Sequence, residues 1–254
     1  MSVDLYHRRE GQGTPIVVLH GLFGSSDNFG SIGRTLSAEF DMVLVDERDH
    51  GRSPHTDRIT YTRMAEDVHA LIVKLGLKDI VLVGHSMGGK TAMTFAQRWP
   101  ELLKHLVVID IGPREYAIGD HAAILEALTT SDVAHKGSRK EVEAHLSRYI
   151  PELGVVQFLM KSLYWEKPEL LGWRFNVPLL ARDITDILAA MGPESVRVPT
   201  LFIRGGKSGY ITREDEPQIK EQFPDNRIET VSFAGHWVHA QAPEEVMDLI
   251  RSVT

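Results

Sequence analysis

The chain has 254 residues, with 28 Lys and Arg against 35 Asp and Glu, a formal net charge of −7, 43% hydrophobic residues and no cysteine. An acidic chain without a basic run is a poor match for nucleic acid, its apolar content excludes global disorder, and the missing cysteine excludes disulfides, Cys-ligated zinc, iron–sulfur clusters and thiol catalysis. Met1 to Gly13 is polar and no run reaches about 18 apolar residues, so neither a secretory leader nor a stable membrane insertion is expected, and the cytoplasm is the expected compartment.

Val3 to His7 alternates in polarity and predicts an antiparallel edge strand. Ile16–Leu19, Met42–Val45, Ile80–Val83 and Leu106–Ile109 are short apolar runs rich in β-branched residues, as strands buried on both faces of a parallel sheet require. Between them, Met64, Val68, Leu71, Ile72 and Leu75 form one helical stripe that Gly76 stops. Met87 to Arg98 reads as a buried helix closed by Pro100. From about Pro113 to Pro199 the rhythm changes, and the expectation is helical with no strand. Ser138-Arg139-Lys140-Glu141 is a capping box there, and Pro178 opens a helix carrying Leu180, Ile184, Ile187 and Leu188. Thr200–Ile203 and Ile228 to Phe233 resume the strands, and Pro243 opens a last helix with Val246, Leu249 and Ile250. The pattern predicts an α/β, doubly wound, mostly parallel sheet. Residues 1–112 and 200–254 would form its core and 113–199 a helical cap insertion, all within one domain.

Gly84-His85-Ser86-Met87-Gly88 matches G-x-S-x-G, a pattern that is weak alone. Here it follows a strand and opens a helix, the setting a nucleophile elbow needs. His20-Gly21-Leu22-Phe23-Gly24 ends the first parallel strand. The backbone N–H groups of Leu22 and Met87 are therefore expected to form an oxyanion hole, with Phe23 as the fallback donor. The serine needs a base, and among 12 histidines His236 directly follows the last strand, with His239 as its competitor. His85 is expected to point sideways, and His50 to line the pocket. For the acid, Asp110 ends the strand after the elbow helix, where an unpaired carboxylate would be costly, and Asp215 is the alternative. Asp46 also ends a strand and is expected to tie down its own loop with Arg48. Tyr164, Trp165, Trp173 and Phe175 cluster in the cap segment. The expected substrate pocket takes Phe23, His85, Trp165, Trp173, Phe175 and Trp237. Neither a metal nor an organic cofactor is expected.

Taken together, His20 to Ser25, Asp46-x-Arg48-x-His50-Gly51-x-Ser53, Gly84 to Lys90, Ile109-Asp110-Ile111, Trp173 to Asn176 and Gly235 to Ala240 resemble the α/β-hydrolase superfamily, and more closely the YbfF-type bacterial esterases. The resemblance spans nearly the whole chain. It implies an α/β-hydrolase fold with a helical cap, and an acid placed after the strand that follows the elbow, which supports Asp110. It also implies a serine esterase acting through an acyl-enzyme on small-molecule esters of short-to-medium acyl groups, or on acyl thioesters. The alternatives are carbon–carbon bond, lactone or perhydrolase chemistry on the same triad, or a non-enzymatic small-molecule receptor.

Overall fold

The computed structural model describes residues 2–119, 121–133 and 138–254. In the first part of the chain, strands and helices alternate as β1 (His7–Glu10), β2 (Pro15–Leu19), α1 (Gly30–Leu36), β3 (Asp41–Val45), α2 (Tyr61–Leu75), β4 (Ile80–His85), α3 (Met87–Arg98) and β5 (Leu103–Ile109). An inserted segment follows, with α4 (His121–Thr129), α5 (Arg139–Leu146), α6 (Leu153–Met160), the hairpin β6 (Leu163–Lys167) and β7 (Leu170–Trp173), α7 (Val177–Arg182) and α8 (Ile184–Leu188). The chain then returns through β8 (Thr200–Gly205), α9 (Glu216–Gln222), β9 (Asn226–Val231), α10 (Val238–Gln241) and α11 (Pro243–Arg251).

Seven strands form the main sheet in the order β1-β3-β2-β4-β5-β8-β9, with β1 antiparallel to β3 and every other pairing parallel. From β2 the chain steps to β3 on one side and then crosses to β4 on the other. That reversal leaves a crevice beyond the carboxyl ends of β2 and β4, the place where open α/β sheets bind ligands. Successive strand residues face opposite layers. Val17, Leu19, Leu82, Leu106 and Val108 pack with α2, α3 and the inserted segment, while Ile16, Val18, Val81, Val83 and Val107 pack with α1 and α11. Apolar burial on both faces is what turns these short runs into strands rather than helices.

Three expectations are corrected. The edge strand is His7–Glu10 rather than Val3–His7. The Val3 and Tyr6 amides donate to the Asp67 carboxylate (2.7 Å) and the Ser53 hydroxyl (2.8 Å), so these two amides bond to side chains, and among the described residues only the Tyr6 carbonyl reaches the neighbouring backbone, accepting from the Asp46 amide (2.9 Å). The inserted segment is not purely helical, because β6 and β7 pair antiparallel around Pro168 and Glu169. Leu171 and Trp173 alternate inward along β7 with a period of two, the signal that a helical reading passed over. The helix expected from Pro178 is broken at Asp183, whose carboxylate is held by the Arg182 guanidinium and the Ile59 amide.

Polar contacts tie the inserted segment to the core. Ser162 donates to the Phe23 carbonyl (3.1 Å), and the Asn176 side chain donates to Asp49 (3.0 Å). The Tyr61 hydroxyl donates to the Ile187 carbonyl (2.5 Å). Lys90, buried on α3, donates to the carbonyls of Arg114 (2.9 Å), Leu188 (3.4 Å) and Ala189, with its ammonium over the Tyr116 ring. Burial pushes this lysine down to about 7.

Candidate active site

The sharp turn from β4 into α3 places Ser86 at φ 53 and ψ −118, a strained backbone for a residue with a side chain. The turn closes only because its glycines are bare. A Cβ on Gly84 would stand 2.2 Å from the Gly88 carbonyl oxygen, and one on Gly88 would stand 2.5 Å from that of His20. The Ser86 amide donates to Ile109 (3.0 Å), which locks the turn to the end of β5.

Asp110 continues from β5 at φ 51 and is fully buried. The Gly205 amide donates to its Oδ1 (2.9 Å), and the Ser208 hydroxyl donates to its Oδ2. The same Oδ2 lies 2.8 Å from His236 Nδ1, and His236 Nε2 lies 3.1 Å from Ser86 Oγ. Three residues taken from the sequence thus meet in one line. Tyr210 stacks on the imidazole with ring centres 3.9 Å apart, and His85 Nε2 lies 2.9 Å from the His236 carbonyl oxygen. The loop around His236 is held at both its ring and its backbone.

Among the described residues, the Met87 and Leu22 amides donate to no protein acceptor. Met87 is the first residue of α3, whose leading N–H groups have no partner within the helix. The Phe23 amide is already taken by His50 Nε2 (3.2 Å), which removes the fallback donor. Phe23 itself sits at φ 63 and packs its ring against Phe175 (5.2 Å).

Buried imidazoles surround this line, and burial holds them neutral. His50 and His239 are pushed down to about 3, and His20 and His85 are lowered as well, with neighbouring imidazoles adding to the effect in His50, His85 and His239. Each is neutral at physiological pH, so His20 and His50 can each accept a backbone N–H, from Glu47 and Phe23 respectively.

Other candidates have different tasks. Asp215 pairs with Arg114 (2.8 Å) and caps Thr212, away from His236. Asp46 takes the Ser26 and Arg52 amides, while Arg48 pairs with Asp67 (2.6 Å); the expected Asp46–Arg48 tie does not form. His50 is buried beneath the Phe23 loop and does not line the pocket. His239 stacks on Phe29 (4.4 Å), and it is His236 rather than His239 that lies within hydrogen-bond distance of Ser86.

A cavity of about 360 Å³ opens above Ser86. Phe23, His85 and Trp237 line it, together with Ile124, Tyr149, Phe158 and Tyr210. Trp165, Trp173 and Phe175 do not. Trp165 stands on the outer side of the β6–β7 hairpin and is 48% exposed. Trp173 donates its indole N–H to Ser131 and stacks on Phe175, so both fill the layer behind Phe23. Ser208, Tyr210, Tyr149 and Phe158 carried no local sequence signal, because each reaches the site only through long-range packing. Among the described residues no group of three or more metal-ligating side chains gathers, and no helix is long and apolar enough to cross a membrane.

Residues 14–132 match the family model of the α/β hydrolase fold. The chain is 38% identical over 257 residues to the sn-1-specific diacylglycerol lipase ABHD11 of Mus musculus, covering 97% of this chain and 83% of that protein. It is 35% identical over 238 residues to the esterase YbfF of Escherichia coli, covering 94% and 92%. A solved structure described as a marine microorganism esterase superposes with a TM-score of 0.97 at 39% identity, covering both chains fully. The chain belongs to the α/β-hydrolase family. Its activity is carboxylic ester hydrolysis.

Proposed function

We propose that Ser86, His236 and Asp110 cleave esters through a covalent acyl-enzyme. The Ser86 hydroxyl donates to His236 Nε2 and attacks the ester carbonyl as that nitrogen takes its proton. His236 Nδ1–H donates to Asp110, which fixes the tautomer and stabilises the imidazolium. The carbonyl oxygen becomes an oxyanion held by the Leu22 and Met87 amides, each worth about 3–4 kcal/mol in comparable sites. His236 then returns the proton to the leaving alcohol. Water, activated by the same imidazole, releases the acid.

The observation that carries this reading is the unbroken line from Ser86 Oγ through His236 to Asp110, beside two unpartnered amides. Residues 113–199 act as the cap, and the substrates are esters of short-to-medium acyl groups or the corresponding thioesters. A fluorophosphonate probe tests the mechanism. One covalent adduct at Ser86, absent in Ser86→Ala, is expected; a folded, unlabelled protein would refute it. The rate should fall on acidification, because an imidazolium cannot accept the serine proton. A rate that does not depend on pH on the acid side contradicts the role of His236.

A further inference from the structure

A second, much smaller cleft also reaches Ser86. Its volume is about 20 Å³, and it is lined by Met87, Tyr61, Lys90, Tyr116, Ile187 and Leu188 among others. The two cavities share Leu22, Ser86, His121 and Tyr210, and His236 and Trp237 line only the large one. That asymmetry has a chemical consequence, which rests on the acyl-enzyme reading above. The imidazole must reach the leaving oxygen to protonate it, so the leaving group lies on the His236 side. The acyl group, which stays on Ser86, then points away from His236.

We infer that the small cleft is the acyl site and that it takes an uncharged acyl group of acetyl size, while the large cavity takes the bulky apolar alcohol or thiol. Size supports the assignment, since the space holds little more than one water-sized group. Chemistry supports the lack of charge. The Lys90 ammonium spends its donors on three carbonyls, the Tyr61 hydroxyl donates to Ile187, and the Tyr116 hydroxyl donates to Tyr210 (2.7 Å). No donor of these three groups is left for a carboxylate at the far end of the acyl chain. Ile187 and Leu188, on the last turn of α8, close the end of the cleft.

Two ester series test this. With p-nitrophenol constant, kcat/KM should fall about tenfold from acetate to butyrate and further to octanoate. With acetate constant, it should rise about tenfold from ethyl to hexyl acetate as the alcohol fills the large cavity. Ile187→Ala, and independently Leu188→Ala, should raise the octanoate-to-acetate ratio about tenfold. Phe158→Ala, in the large cavity, should leave that ratio unchanged. Octanoate cleaved as well as acetate by the parent protein overturns the inference and leaves the acyl-enzyme mechanism standing. So does an unchanged ratio in both folded cleft variants. Failure to hydrolyse any ester overturns the mechanism and this inference together.

Discussion

At the ends of the parallel strands, the groups around Ser86 are fixed by backbone geometry. Ser86, Asp110 and Phe23 sit at positive φ, and main-chain amides bond to the serine turn and to the acid. In the cap, the same cavity is walled by side chains such as Ile124 and Phe158, carried on helices of five to nine residues. Short helices draw their stability from packing, so they can shift or accept substitution more readily than strands locked in a register. Under the proposed mechanism the contrast divides the labour: the strand ends would supply reactivity and the inserted segment fit.

Breaking the strand side should be drastic. Ser86→Ala should lower kcat by on the order of a million-fold with the melting temperature unchanged, read in a burst-free ester assay. Asp110→Asn should lower kcat by about ten-thousand-fold with KM little altered, because the imidazole loses its tautomer control. A KM effect of equal size would mean that Asp110 serves binding instead. Disturbing the cap should be milder and of another kind. Phe158→Ala should raise KM for a bulky ester about tenfold and spare kcat, through the lost burial of one ring edge. An equal loss in kcat would erase the distinction between the two regions.

The smallest expected effect is on stability, within the core. Glu47 is buried, and among the described residues neither carboxylate oxygen has a hydrogen-bond partner. Burial pushes it up from 4.5 to about 8. Between those values the unfolded chain has released a proton that the folded chain keeps, so stability falls as pH rises through this window. Glu47→Gln should therefore match the parent protein near pH 4.5 and exceed it by about 1–3 kcal/mol at pH 8, measured by chemical denaturation. An advantage that shrinks with rising pH contradicts the assignment of a neutral, buried carboxyl.

Much of this was legible in the sequence where the signal is local. Ser86 sits between two glycines that a close strand-to-helix crossing demands, and Asp110 ends an apolar run where a carboxylate needs a partner. His236 follows the last strand directly. What the sequence did not carry is how distant loops meet. Ser208 and Tyr210 serve Asp110 and His236 only because β8 pairs beside β5. The aromatic residues of the inserted segment illustrate the same limit: composition marks Trp165, Trp173 and Phe175 as apolar, but packing turns Trp165 outward and Trp173 and Phe175 into the layer behind Phe23, so none of them lines the cavity. The Phe23 amide was open on paper and is occupied in the fold by a histidine 27 positions away.

Lys90 gathers the carbonyl of Arg114 and those of Leu188 and Ala189 around one ammonium. The two ends of a long excursion are thus brought to a single socket on α3, the helix that begins directly after Ser86. An insertion whose ends are already joined behaves as an exchangeable part. The stretch between them also meets the core through Ser162 on the Phe23 carbonyl, Asn176 on Asp49 and the Ile187 carbonyl under the Tyr61 hydroxyl, so a replacement must restore these contacts as well as the lysine socket.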